Sequence, residues 1–443
     1  MGRIVAKFGG SSVKDALAMS NCARLAVKRN ARIIVSSATQ GTTDELVALC
    51  DLEGSWKLAQ ERLKVLEARH LSIWEDLKAS DTCLEKLNEL FSRLRSLCHG
   101  IYLLNDCSPK FRDRILCFGE LLSTTLLVEA FRAQGVEAEF LDARTFLKTS
   151  DKFGAAQPIL EEIASHVQGS VLVSSENFII TQGFIGSTLS GSTTTLGRGG
   201  SDYSAALIAE AARAEHLEIW TDVAGVATTD PRLCPDARPI SEISFREASE
   251  LAAFGAKVLH PTTVWPSIRK GFPVFVGSSQ HPEEGGTWIR SEVAEYPIIR
   301  AISVKKSQVF LTISTPEMSQ TYGFLAKVFD VFRDHELSID TVTTSEISIG
   351  VTLDEVELAN DKLLQDLASL GKIEVERGLS LVSLVGNRIR HTPGLLESIL
   401  RAINGVNLRS ICAGASKHQV CFLVESEEAG RCVEQLHRSF ISS

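Results

Sequence analysis

No window of the 443-residue chain approaches 18 consecutive apolar residues, the least that a membrane-crossing helix needs. A secretory leader is missing as well, because Met1-Gly2-Arg3-Ile4-Val5-Ala6-Lys7 places charge where an uninterrupted apolar core is required. The expectation is a cytoplasmic protein with no membrane partner. There is no basic excess either: 46 Lys and Arg stand against 55 Asp and Glu, a net charge of −9, whereas a nucleic-acid partner calls for a basic face. The ten cysteines include no C-x-x-C pair, and His260 and His281 sit in no zinc-ligand spacing. Reduced, mostly buried thiols and no metal held by the protein itself follow. What the chain does have is 44% apolar and 23% charged residues, enough for large cores and against disorder. At about 150 residues per domain the length suggests roughly three domains.

The N-terminal part alternates strands and helices. Arg3 to Ala6 reads as a short strand and Gly9-Gly10 as a break, after which Val13, Ala16, Leu17, Cys22, Leu25 and Ala26 recur at helical spacing. Arg32-Ile33-Ile34-Val35-Ser36 reads as the next strand. This alternation implies an α/β fold with a largely parallel sheet covered on both faces. Residues 55 to about 104 are rich in Leu, Glu, Lys and Arg and contain no glycine between Gly54 and Gly100, the pattern of a helical insertion without evident chemistry. Strands at Val171-Leu172-Val173, Asn177 to Gln182, Leu217 to Trp220 and Val274 to Val276, with a helix from Asp202 to Glu215, continue the alternation to a turn at Glu283-Glu284-Gly285-Gly286. Beyond it, a strand at Val309 to Ile313, a helix at Phe324 to Arg333 and a strand at Ser348 to Leu353 are echoed by Ser380 to Val385, Leu395 to Ile403 and Gln419 to Val424. These are two small α+β units in tandem, with edge strands suited to dimerisation.

Three stretches suggest chemistry. In Lys7-Phe8-Gly9-Gly10-Ser11-Ser12 a strand end delivers a lysine, and two glycines expose backbone N–H groups before a helix: an anion cradle, distinct from a Walker A loop. In Thr194-Thr195-Leu196-Gly197-Arg198-Gly199-Gly200-Ser201-Asp202-Tyr203 the glycines allow close approach to a ligand, and Ser201 is placed to cap the following helix. Arg198 offers a fork for a carboxylate or phosphate, and Asp202 is a dipole-favoured acid or an organiser of metal and phosphate. Thr221-Asp222, at a strand's carboxyl end, suits nucleotide recognition, with Asp230-Pro231-Arg232 following. Lys257, after the Gly255 break, is a candidate phosphate contact.

Together with Ser36-Ser37-Ala38-Thr39-Gln40-Gly41-Thr42-Thr43-Asp44, Gly119-Glu120, Gly183-Phe184-Ile185-Gly186 and Phe254-Gly255-Ala256-Lys257-Val258-Leu259-His260-Pro261, these stretches resemble the aspartokinases of the amino-acid kinase family, along nearly the whole chain. The resemblance implies a three-layer kinase domain at 1–292, with the insertion at about 55–104, and two ferredoxin-like ACT modules at 300–377 and 378–443. The strand near 298–306 is a candidate to pair into the second module. It implies phosphoryl transfer from ATP to the β-carboxylate of L-aspartate, giving 4-phospho-L-aspartate, the entry to lysine, threonine and methionine synthesis, with Mg²⁺ carried on the nucleotide. By the same resemblance Lys7 and Asp202 are the catalytic residues, and Gly9, Gly10 and Ser11 cradle phosphate. Ser37, Thr43, Glu120, Phe184, Arg198 and Ser201 hold aspartate, and Lys7, Thr221, Asp222, Arg232 and Lys257 meet ATP. Two positions depart from the family pattern: Ala227 stands where a bulkier residue is usual, and Ala224 where proline is common.

In the first tandem unit, Met318, Gly323, Phe324, Leu325, Ser338, Asp340, Ser345 and Glu346 look like the effector site of lysine-sensitive aspartokinases, with lysine as inhibitor and a homodimer or larger homo-oligomer built through these modules. The second copy has Arg409-Ser410-Ile411 in place of the acids, which suits an interface. The competing readings are a kinase for another amino acid and an amino-acid sensor with a degenerate kinase domain. The Phe-Gly-Gly-Ser-Ser start weighs against the first, and the intact Lys7, Arg198, Asp202 and Lys257 against the second.

Overall fold

Ile4–Phe8 carries four consecutive buried residues, the signature of a strand covered on both faces. In the computed structural model, which describes residues 3–51, 55–169, 177–255, 261–359 and 361–442, this strand lies inside the larger of two units. That unit comprises Met1–Val226, Pro239–Phe245 and Val258–Val293; the other comprises Ala227–Arg238, Arg246–Lys257 and Ala294–Ser443.

The elements run β1 (Ile4–Phe8), α1 (Ala16–Arg29), β2 (Ile33–Ser36), α2 (Thr42–Cys50), α3 (Trp56–Leu77), α4 (Asp81–Leu104), α5 (Pro109–Leu116), α6 (Phe118–Arg132), β3 (Ala138–Leu141), α7 (Ala143–Phe146) and α8 (Leu160–Gly169). They continue with β4 (Phe178–Gln182), β5 (Ile185–Ser187), β6 (Thr193–Thr195), α9 (Gly200–Ala211), β7 (His216–Thr221), β8 (Glu242–Ser244), α10 (Phe245–Ala253), α11 (Pro261–Lys270), β9 (Val274–Ser278) and β10 (Gly286–Arg290). Among the described residues the large sheet has the order β3-β4-β2-β1-β7-β9-β10-β8, and all its pairings are parallel except β9 with β10. The fold class is thus the expected α/β one. The strand read at Val171 to Val173 falls outside the described residues.

Local chemistry explains where the helices begin. Asp15 caps α1 by accepting from Ala18 N–H at 2.8 Å, while Ser55 and Ser80 cap the two long helices of the insertion. Those helices bury Ala59, Leu63, Leu66, His70 and Ile73 on one side and Cys83, Leu87, Leu90, Leu94, Cys98 and Ile101 on the other, each set at a helical period. Helix α6 is buried around most of its circumference. Its near-lack of a polar face marks it as a central element. Glu218 on β7 is fully buried and holds Arg29 of α1 at 2.6 Å, with Trp220 Nε1 on its second oxygen at 3.0 Å. Burial pushes its carboxyl up, but these donors and His216 outweigh that and leave it below the usual carboxylate range.

The second unit is built on β11 (Ile299–Ser314), α12 (Phe324–Asp334), β12 (Thr341–Thr344), β13 (Ser348–Asp354), α13 (Asp361–Ala368), β14 (Lys372–Gly386), α14 (Leu395–Ala402), β15 (Ser410–Ala413), β16 (Gln419–Glu425) and α15 (Ala429–Phe440). The strands form one antiparallel sheet, β12-β13-β11-β14-β16-β15. Two long strands run through both halves of it. Residues 308–314 of β11 pair with β13 and with the start of β14, while residues 299–305 pair with 381–386. Each half faces its own core: Val309, Leu311 and Ile313 pack with Phe324, Val328 and Phe332, whereas Ile299 and Ile302 pack with Phe422, Val433 and Leu436.

Candidate active site

Parallel pairing puts the carboxyl ends of β1, β2, β4 and β7 on one edge, the edge where open α/β sheets bind ligands. Backbone hydrogen bonds tie the turns that leave it. Ser37 N–H donates to Phe8 O at 3.1 Å, Gly183 N–H to Ser36 O at 2.8 Å, and Gly9 N–H to Trp220 O at 3.0 Å. Segments far apart in sequence therefore meet in one place.

Lys7 lies in this edge with 8% of its surface exposed, and its Nζ is 2.5 Å from Asp202 Oδ1. Asp202 sits in the first turn of α9, where the helix dipole favours a negative charge. The cap of α9 is Gly199, in the left-handed region at φ 70°, with no side-chain cap hydrogen bond. This corrects the expectation that Ser201 caps the helix: the glycine turn lets α9 start two residues earlier, at Gly200, which places Ser201 inside the first turn. After Lys7, Gly9 leads into a single 3-10 turn over Gly10–Val13 that carries Ser11. Ser12, which closes the Lys7–Ser12 stretch but has no role of its own in the sequence, anchors that turn through a 2.7 Å hydroxyl contact with Ser279.

Glu120, in the first turn of α6, is 2% exposed. One oxygen accepts from Ala38 N–H at 3.1 Å, and Oε2 is buried with no partner among the described residues. Burial pushes its carboxyl up to about 8, against the pull of the Ala38 N–H and of the nearby Lys7 charge. The approach of α6 to the loop after β2 depends on Gly119, where a Cβ would come within 2.8 Å of the Ala38 side chain. Ser123 Oγ fastens the same contact by donating to Ser37 O at 2.6 Å. Phe184 adopts a left-handed backbone, φ 64°, rare for a bulky residue and a mark of a site that surrounding structure holds in place. A Cβ at Gly200 would lie 2.7 Å from the Phe184 ring, so ring and helix start are in direct contact. Thr43 is half-buried in the first turn of α2, and Arg198 is exposed between Gly197 and Gly199 with no ion-pair partner among the described residues.

On the nucleotide side, Thr221 Oγ1 donates to Asp222 Oδ1 at 2.9 Å at the end of β7. Arg232 belongs to the other unit, where its guanidinium forks onto Asp230 at 3.0 and 2.7 Å and holds that carboxyl below its usual range. Lys257 lies outside the described residues. The first unit alone thus gathers Lys7, Gly9, Gly10, Ser11, Ser37, Glu120, Phe184, Ser201, Asp202, Thr221 and Asp222 along the ends of its parallel strands. Asp113, also unremarked in the sequence, accepts from Thr195 N–H at 2.9 Å and from Gly154 N–H at 3.0 Å, and so steadies the strand that leads to Arg198.

In the second unit, Gly323, φ 77°, caps α12, while Thr315 N–H donates to Ile347 O at 2.9 Å. The Met318 turn, Gly323, Phe324, Leu325, Ser345 and Glu346 therefore share one end of the half-sheet, and Ser338 and Asp340 lie at the other end of β12. Asp340 is 2.5 Å from Lys305, a partner that the sequence motif did not reveal.

Residues 2–278 match the amino acid kinase family and residues 382–440 the ACT domain. The chain is 41% identical to the lysine-sensitive aspartokinase 3 of Escherichia coli across 98% of both chains, and 34% identical to the chloroplastic aspartokinase 2 of Arabidopsis thaliana across 99% of this chain and 84% of that one. The crystal structure of E. coli aspartokinase III in complex with aspartate and ADP superposes with a TM-score of 0.89 over 99% of each chain, and its complex with lysine and aspartate with 0.86. The chain belongs to the amino acid kinase family and, within it, to the aspartokinases.

Proposed function

We propose that this aspartokinase moves the γ-phosphoryl group of ATP onto the β-carboxylate of L-aspartate at the edge that holds Lys7 and Glu120. The observation that carries the reading is the buried, unpartnered Oε2 of Glu120 beside a buried lysine. Such an oxygen is suited to an ammonium group, because an unpaired buried acceptor gains a full charge-assisted hydrogen bond on binding. Arg198, with no ion-pair partner among the described residues, supplies a fork for the α-carboxylate. The attacking carboxylate is already ionised at neutral pH, its ordinary pKa being about 3.9, so no general base is needed. The work left to the protein is alignment and charge neutralisation. Lys7 and the N–H groups after Gly9 serve the transferred phosphoryl group, while Thr221 and Asp222 serve the nucleotide.

Among the described residues no group of three or more His, Cys, Asp and Glu side chains forms an ion cage. Asp202, the carboxylate beside Lys7, would be the residue to hold a Mg²⁺ ion carried on the nucleotide. When bound, the ion would supply charge neutralisation. Residues 1–292 make the catalytic domain in this reading, and 300–377 and 378–443 the regulatory modules of a cytoplasmic enzyme. A coupled assay offering aspartate, glutamate or neither should show ADP release with aspartate alone. ADP release independent of any amino acid, or greater with glutamate, would overturn it.

Lysine is the proposed inhibitor. Asp340 and Ser345 are five residues apart along an extended strand, about 16 Å, which exceeds the reach of one lysine. A second copy packed on this end of the unit would complete the site over that distance, which supports a homodimer. The exposure of Val342, Ile347 and Leu325 on this face fits such a contact. Glu346→Ala is expected to raise the lysine concentration for half-inhibition by roughly tenfold, the worth of one charge-assisted contact, with kcat unchanged in the absence of lysine. Unaltered inhibition in a lysine titration would remove Glu346 from the site.

A further inference from the structure

The helical insertion, which the sequence leaves without a task, reaches the loop that follows β2. Two consecutive residues of α3 make the contact. Arg69 Nη2 donates to Thr42 Oγ1, and its Nη1 donates to Gln40 O at 3.1 Å. Thr42 Oγ1 is 2.5 Å from Thr39 Oγ1, which is 3.2 Å from His70 Nε2. His70 Nδ1 lies 2.8 Å from Leu66 O.

The direction of every proton in this chain follows from its two ends. A guanidinium only donates and a carbonyl only accepts, so His70 carries its proton on Nδ1 and presents the Nε2 lone pair. Thr39 then donates to His70, Thr42 donates to Thr39, and Arg69 donates to Thr42. Each hydroxyl is both donor and acceptor, an arrangement in which the bonds polarise one another. His70, Thr39 and Thr42 are at most 1% exposed, and the His70 ring packs T-shaped with that of Phe91 of α4, the centroids 5.7 Å apart. Burial keeps the imidazole neutral, its pKa pressed down to about 4, so the acceptor persists at working pH.

What the chain holds is the segment between Ser36 and Thr43. It contains Ser37, the Ala38 N–H that orients Glu120, and Thr43. We propose that Arg69 and His70 are positioning residues for the amino-acid substrate, with the insertion α3–α4 acting as a brace that locks the Ser37–Thr43 loop in its binding geometry through the directed chain Arg69, Thr42, Thr39, His70. This rests on the reading that the loop contacts aspartate. Among the described residues the hydrogen bonds of Arg69 and His70 end on Gln40, Thr42, Thr39 and Leu66 and none reaches β7, so loss of the brace disturbs aspartate first, with ATP affected only through the packing of Gln40 against Gly10.

Steady-state kinetics of the full-length protein with each substrate varied test this in Arg69→Met, His70→Leu and His70→Gln, with Ser37→Ala as the control for the loop itself. Arg69→Met keeps the aliphatic stem of a half-exposed residue and keeps the test alive should His70→Leu fail to fold. Glutamine can place an amide oxygen near the position of Nε2 and so retain the acceptor. Arg69→Met and His70→Leu should raise KM for aspartate on the order of tenfold, as expected when a remote contact loosens a binding group, while KM for ATP stays within about twofold and His70→Gln recovers most of the loss. Folded Arg69→Met with a normal aspartate KM, or equal changes in both KM values, overturns the brace. If Ser37→Ala raises the aspartate KM and Arg69→Met does not, the brace alone fails. If Ser37→Ala also leaves it unchanged, the loop reading fails and takes the brace with it.

Discussion

Lys7→Ala should lower kcat on the order of a thousandfold or more, with the protein still folded. Lys7 is a cation with 8% exposure at the carboxyl edge of a parallel sheet, next to a turn of backbone donors. In a site shielded from water, one preorganised donor aimed at developing charge supplies about two to three decades of rate, and a full charge on a transferring phosphoryl group belongs at the upper end. The structural loss is smaller. Asp202 loses its partner but sits in the first turn of α9 with its side chain 18% exposed, so water and the helix dipole take over part of the compensation. A melting curve near that of wild type together with collapsed turnover is the expected pair of results. Substantial turnover in the variant would show that Lys7 is not the charge stabiliser. A second consequence follows from the proximity of Lys7 to Glu120. Its charge pulls the Glu120 pKa down, so its removal should push that pKa further up, and the acid limb of aspartate binding described below should move to higher pH in whatever activity remains.

Much of this site was legible because it is carried by short contiguous motifs. Lys7 with its glycines, Gly119-Glu120 and the Gly197–Asp202 run each announce a backbone requirement together with a charged group, and the parallel sheet brings them to one edge. What the sequence did not show are contacts whose residue types look ordinary. Arg69 and His70 fall within an amphipathic helix, where a buried histidine has the same spacing as a buried leucine. Asp113 reads as a helix acid until Thr195 is seen to be its partner. Ser201 has the residue type of a cap, but the left-handed turn that Gly199 provides starts α9 before it. The long strands of the second unit are legible in the sequence only in pieces, 298–306 and 309–313 of one and 380–385 of the other. Joining and extending these pieces are Lys305-Lys306-Ser307-Gln308, a bulge with Ser307 at positive φ, and 372–378, whose alternation of Lys, Ile, Glu, Val and Glu buries one side only in part. Asp340 looked available for a ligand because nothing in its neighbourhood in the sequence indicates Lys305.

Glu120→Gln should separate binding from stability in opposite directions. In the free protein the carboxyl has a pKa of about 8, raised by burial above its ordinary 4.5, so at pH 7 most molecules carry it protonated. An acid whose folded pKa lies above its unfolded one stabilises the fold fully below the unfolded value, and that contribution is lost as pH rises through the folded value. Between about pH 4.5 and 8 this group alone therefore makes the substrate-free protein less stable as pH increases, because the fold must hold an unpaired buried charge. Glutamine preserves shape and the acceptor for Ala38 N–H but never ionises. The variant should melt at a higher temperature than wild type at pH 8.5 without aspartate, with the difference vanishing near pH 5. Binding runs the other way. The ammonium of aspartate needs the carboxylate, so kcat/KM for aspartate should climb with pH toward a plateau above about 8, the rise ending as Glu120 loses its proton. Glu120→Gln should lose on the order of a hundredfold in kcat/KM at the plateau, the upper range for a charge-assisted hydrogen bond in a buried site, and its profile should lack the limb. KM for ATP should be little changed. A profile that keeps its limb in the variant would assign the titration to another group, and a kcat/KM within twofold of wild type would remove Glu120 from the ammonium site.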